Sequence, residues 1–222
     1  MLKERYFTPQ TLQSKSQELY VSVSDLRQRH ANIRFRPANA ALLVLDLQEY
    51  FLQENSHAFV PSASAIMPGI SELTVAFLAA SCPVIATRHL NTPNDAGMMS
   101  KWWRDVIKPH GAYSHNITID NSTKIIFITK PQYDAFFQTQ LENILRERGI
   151  GQVVICGVMT HLCCETTARS AFTRGFEVFF TIDGTATYNE QLHRASLLTL
   201  SHGFAVPVLI AELLHHLESD DA

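Results

Sequence analysis

Residues 152–183 read QVVICGVMTHLCCETTARSAFTRGFEVFFTID. Within them, 152–156 reads as a strand, continuously apolar over 153–156, that stops at Gly157. Residues 164–174 carry helical spacing closed by Gly175, and 177–182 form a second strand, apolar over 178–180, ending at Asp183. Runs that are apolar at every position, instead of alternating, belong to strands buried on both faces. A strand, a helix and a strand in that order form a right-handed crossover, which makes the two strands parallel.

The same unit extends in both directions. Upstream, 40–45 (AALLVL) ends at Asp46, 83–87 (PVIAT) precedes Arg88, and 124–129 (KIIFIT) ends at Lys130. Helical spacing covers 66–80 and 136–148. Downstream, a helix over 190–202, a strand over 205–210 and a helix over 212–218 complete the pattern. The expected fold is a three-layer α/β/α sandwich around a mainly parallel sheet of about six strands. Ligands in such sheets bind beyond the carboxyl ends of the strands. Asp46, Arg88, Lys130, the turn at 157–163 and Asp183 all fall at or just past those ends, so the candidate site lies there.

Two segments fall outside the pattern. Residues 1–38 form an N-terminal extension, with a helix expected around 18–30, ahead of a domain over 39–222. Residues 89–122 make an unusually long connection, of the kind that builds lids and binding loops. Its Met98, Met99, Trp102 and Trp103 are compatible with a short helix packed on the body or with an aromatic wall over a pocket.

Composition narrows the class. The 222 residues are 46% apolar, which excludes intrinsic disorder and suffices for one full core. Lys and Arg number 18 against 21 Asp and Glu, a net charge of −3, so no basic face for nucleic acid is expected. No apolar run has the length of a membrane span, and the polar N-terminus lacks a signal-peptide pattern. Four cysteines (Cys82, Cys156, Cys163, Cys164) make neither a disulfide scaffold nor a zinc ribbon. The expectation is a reduced, cytoplasmic protein acting on a small molecule, with no membrane or nucleic-acid partner.

Cys163 is the candidate nucleophile. It falls near a helix start, just past a strand, where the helix dipole and unpaired N–H groups favour a thiolate and can receive an oxyanion. The alternative role is that of a small core hydrophobe. A nucleophilic thiol needs a base, and Asp46 and Lys130, at the ends of other strands, are better placed than any histidine. Taken singly, Asp46 and Lys130 also suit a structural ion pair.

Four segments carry a family resemblance: 41–52 (ALLVLDLQEYFL), 129–141 (TKPQYDAFFQTQL), 157–175 (GVMTHLCCETTARSAFTRG) and 183–187 (DGTAT). Together, and in this order, they resemble the isochorismatase-like cysteine hydrolases over about residues 35–210. The resemblance implies an isochorismatase-like, Rossmann-like fold and a catalytic Asp46–Lys130–Cys163 triad. It also implies an oxyanion hole from the backbone amides of Met159, Thr160 and Cys163, a cis peptide at Val158–Met159, and a homo-oligomer, dimer or tetramer. Candidate substrate-binding residues are Gln48, Arg88, Trp103 and His161.

Two reactions occur within that family. The amidase branch cleaves a C–N bond through a cysteine thioester. The isochorismatase branch hydrolyses a vinyl ether and releases pyruvate, with the aspartate, here Asp46, as general acid and typically glycine in place of Cys163. The thiol favours the first. Nicotinamidases in the family bind a metal through an Asp-x-His after the second strand. Here that place reads Thr87-Arg-His-Leu-Asn91, so no cofactor and no metal are expected.

Overall fold

The computed structural model describes residues 2–111, 113 and 123–219. The sheet is built from β1 (Ala40–Leu45), β2 (Val84–His89), β3 (Ile126–Lys130), β4 (Gln152–Val158), β5 (Glu177–Ala186) and β6 (Val206–Val208). Its order is β3-β2-β1-β4-β5-β6, and every pairing is parallel. All positions of β1 and β4 are buried, as their unbroken apolar runs require. The flanking helices include α1 (Leu12–Ser22), α2 (Ser24–Gln28), α3 (Glu49–Leu52), α4 (Ala63–Ala79) and α5 (Met99–Trp102). After β3 come α6 (Leu141–Glu147), α7 (Glu165–Thr173), α8 (Glu190–Gly203) and α9 (Ile210–Ser219). No helix among the described residues is long and apolar enough to cross a membrane.

The topology fixes where a ligand can enter. From β1 the chain runs outward to β2 and β3, then returns to lay β4 on the other side of β1. Loops leaving β1 and β4 diverge at this switch point and open a crevice at the strand ends. The strands meet closely there, with Leu45 opposite Gly157. A Cβ on Gly157 would lie 2.1 Å from the Leu45 carbonyl oxygen, and φ is +115°. Only glycine tolerates both conditions.

Several boundaries differ from the sequence expectations for identifiable reasons. The helix expected over 136–148 begins at Leu141. The Asp134 carboxylate accepts the Phe136 N–H, Thr139 Oγ1 donates to the Ala135 carbonyl, and Gln138 has φ of 53°. These local bonds compete with helix over 135–140. The helix expected at 18–30 splits into α1 and α2 at Val23. The last strand shortens to Val206–Val208, and the last helix starts at Ile210.

Asp183 is also displaced from the expected edge. β5 continues to Ala186, so Asp183 lies inside the strand and its carboxylate accepts the Ile210 N–H at 2.9 Å. Burial raises its pKa to about 6. It serves the start of α9, not the site.

The N-terminal extension packs onto the same core as the rest of the chain: Phe7, Leu19, Val23 and Phe35 are buried in it. Of the connection expected over 89–122, residues 112 and 114–122 lie outside the described residues.

Candidate active site

Three elements deliver one polar cluster. Asp46 is the first residue past β1, and its φ of 51° turns the side chain off the strand line. Asp tolerates this left-handed region better than most residues. Thr87 on neighbouring β2 pins it from two sides. The Asp46 N–H donates to the Thr87 carbonyl at 3.2 Å, and Thr87 Oγ1 donates to Asp46 Oδ1 at 2.7 Å. Lys130 ends β3. Its Nζ lies 2.7 Å from Asp46 Oδ2, 3.0 Å from the Gln132 carbonyl oxygen and 3.2 Å from Cys163 Sγ. Asp46 and Lys130 side chains are both fully buried.

Cys163 comes from the other side of the switch point. β4 ends in a cis Val158–Met159 peptide, and Thr160–Cys164 form a π-helical turn that leads into α7. The amides of Leu162 and Cys164 both donate to the Met159 carbonyl. The expected oxyanion-hole set, the amides of Met159, Thr160 and Cys163, does not draw on these two.

The electrostatics differ from the sequence expectation in one respect. The Cys163 thiol is raised to about 12: burial raises it most, the charge of Asp46 and a hydrogen bond to it also raise it, and Lys130 opposes them. The helix start therefore does not yield a standing thiolate. Burial alone would lower Lys130, but the charges of Asp46 and Cys163 overcome this and hold it above its ordinary value. Asp46 and Cys163 thus share one ammonium group, at 2.7 Å and 3.2 Å.

Cys163 forms part of the wall of a cavity of about 270 Å³, near the lower end of ligand pockets. Tyr50, Trp103, Tyr133, Met159, Leu162 and Tyr188 are among its apolar and aromatic lining residues. Trp103 Nε1 donates to the Tyr133 hydroxyl at 2.5 Å. The connection thus divides its two tryptophans: Trp103 lines the cavity together with Met99, while Trp102 is exposed.

The other candidate binding residues are engaged elsewhere. Gln48 is fully buried and bridges two strand ends, accepting the His89 N–H at 2.7 Å and donating to the His89 carbonyl at 3.2 Å. Arg88 is exposed and donates to Thr129 Oγ1. It alternates with buried Thr87 and His89, so the strand pleat turns it to the opposite face. His161 pairs through Nδ1 with Thr187 Oγ1 at 2.6 Å, and its neighbours Leu162 and Cys163 line the cavity instead.

Sequence reasoning missed Lys3, His57, Tyr133, Leu162 and Tyr188 as lining residues. Tyr133 and Tyr188 stand within or beside two of the family-like segments, but nothing local marks them as pocket residues. At the place of the expected metal motif stands a single histidine, His89. Its Nε2 is paired with Asn91 Oδ1 at 2.8 Å. Among the described residues, no group of three or more His, Cys, Asp or Glu side chains is disposed to hold an ion.

Comparison with known proteins agrees with this architecture. A family profile described as the isochorismatase domain matches residues 40–212. The chain is similar to nicotinamidase 3 of Arabidopsis thaliana, at 39% identity over 75% of this chain and 82% of the relative. It is also similar to an isochorismatase of Bacillus subtilis, at 27% identity over 90% of this chain and 65% of the relative. A cysteine hydrolase of Pseudomonas syringae superposes with a TM-score of 0.79 at 26% identity, covering 83% of this chain and 95% of its own.

Proposed function

The chain belongs to the isochorismatase family of hydrolases, and on that premise we propose that it cleaves the C–N bond of a small amide through a thioester on Cys163. The observation that carries this reading is the contact of Lys130 Nζ with both Asp46 Oδ2 and Cys163 Sγ beside an apolar cavity. The similarity to a relative named a nicotinamidase supports amide chemistry over ether chemistry.

Each residue then has a defined task. A thiol held near 12 is a poor nucleophile at neutral pH unless a base takes its proton during attack. Asp46 is that base, and Lys130 steadies both the carboxylate and the developing thiolate charge. Sulfur bonds to the amide carbon, and amides of Met159, Thr160 and Cys163 receive the oxyanion. Asp46 returns the proton to the nitrogen as the C–N bond breaks and the amine departs. Water then loses a proton to Asp46 and attacks the thioester. The C–S bond breaks, the acid leaves, and the proton returns to sulfur.

Exposure to a panel of small aromatic amides, followed by intact-mass measurement, tests the proposal. The expected result is an acyl adduct on Cys163, with ammonia release abolished in Cys163→Ala. Normal turnover by Cys163→Ala overturns it. Pyruvate release from isochorismate by that variant would instead identify a vinyl-ether hydrolase using Asp46 as general acid.

A further inference from the structure

The N-terminal segment ahead of α1 joins two loops that border the cavity. On one side, Glu4 N–H donates to the Tyr188 carbonyl, Asn189 Nδ2 donates to the Leu2 carbonyl, and the Thr187 N–H donates to the Tyr6 hydroxyl. On the other, the Phe7 N–H donates to Ser62 Oγ, and Lys3 Nζ donates to the His57 carbonyl at 2.6 Å. His57 and Tyr188 both line the cavity, and so does Lys3 itself. The extension therefore contributes a cation to a wall otherwise built by the hydrolase domain.

The ammonium group retains capacity for a ligand. It has three N–H donors. One is directed at the His57 carbonyl, and the group stands 4.4 Å from the centroid of the Tyr188 ring. No carboxylate among the described residues is ion-paired with it. The only influence on its pKa is burial, which lowers it from the usual lysine value. Around it, the lining holds a second cation, Arg104, against one carboxylate, Asp105, whose Oδ1 accepts the Val106 N–H. The Asp46–Lys130 pair deeper in the site is neutral overall. Aromatic walls with a surplus of positive charge suit a flat ring that carries an anionic group.

We propose that Lys3 is a specificity-determining residue that binds a carboxylate of a small ring-containing substrate whose scissile carbonyl meets Cys163. This rests on the amide-hydrolase reading for the position of the carbonyl, but the charge preference is measurable without turnover. The full chain carrying Cys163→Ala, which holds ligand without forming a thioester, is titrated with isophthalamate and terephthalamate and with the corresponding neutral diamides. The expected result is binding of at least one monoanion about tenfold more tightly than its diamide, the scale of one charge-assisted hydrogen bond. Adding Lys3→Met abolishes the preference, and adding Lys3→Arg retains part of it. Equal binding of both ligands, no binding of either, or a preference that survives Lys3→Met overturns the assignment. A preserved preference without any acyl adduct in the Cys163 chain sinks the amide reading alone. An adduct without the preference sinks the role of Lys3 alone.

Discussion

Lys130 and Asp46 meet at 2.7 Å with both side chains fully buried, although they leave different, non-adjacent strands of the sheet. Each charge is stable there only because the other is present. Removing one partner of a buried pair costs roughly 3–5 kcal/mol, whereas removing both costs far less. Lys130→Met is expected to lower unfolding free energy by about that amount, and Asp46→Asn/Lys130→Met to recover most of it. Urea denaturation of the three chains checks this, and equal losses in the single and double variants would contradict it.

The same two residues act on the thiol in opposite senses. Asp46 raises the Cys163 pKa and Lys130 lowers it. Asp46→Asn is therefore expected to alkylate with iodoacetamide at lower pH than the parent, and Lys130→Met only at higher pH. Turnover falls in both, for Asp46→Asn by roughly a hundred- to ten-thousand-fold, the range of a lost general base. Greater thiol reactivity with less catalysis is the signature that separates a base from a mere neighbour.

Gly157 tests the switch point. Alanine there meets the Leu45 carbonyl at 2.1 Å and must adopt φ near +115°. The variant is expected to lose more than about 3 kcal/mol, because backbone rather than a side chain blocks the methyl group. Gly175→Ala, with a positive φ but no atom within 4 Å, is expected to lose less. Thermal unfolding of the pair compares crowding with backbone conformation.

Buried imidazoles set an acid limit. Burial holds His161 at about 4 and His193 at about 3 in the folded chain, against 6.5 ordinarily. Between these values the unfolded chain binds more protons, so this part of the stability is full above pH 6.5 and is lost as pH falls. Asp183 has the opposite sign: its contribution is full below about 3.8 and fades as pH rises through about 6. The two histidines outweigh it, so denaturation midpoints are expected to drop as pH falls from 6.5 to 4. His161→Gln should flatten the slope, and an unchanged slope would remove that histidine from the account.

Trp103 is oriented by its bond to Tyr133 at 2.5 Å. Tyr133→Phe keeps the ring and removes the acceptor. Losing one neutral hydrogen bond predicts a KM raised roughly three- to tenfold with little change in kcat. Steady-state kinetics on an accepted amide measures this, and a selective fall in kcat would place Tyr133 nearer the chemistry.

The chain's pattern alone determined the parallel sheet. Strands such as β1 and β4 must bury both faces, and that requirement is written into every residue of their apolar runs. It also placed Asp46, Lys130 and the 157–163 turn at the strand ends, because a polar residue closing an apolar run marks the edge of the core. Asp183 was misplaced by the same rule, since β5 runs on through it to Ala186. Only the tertiary structure decided which edge residues meet. The pleat turns Arg88 outward, Thr187 engages His161, and Gln48 joins the ends of two strands. Lys3 enters the cavity wall from more than forty positions before the nearest lining residue in sequence, Tyr50. Side-chain direction and long-range packing depend on contacts between distant segments, and those contacts leave no periodicity for a sequence to display.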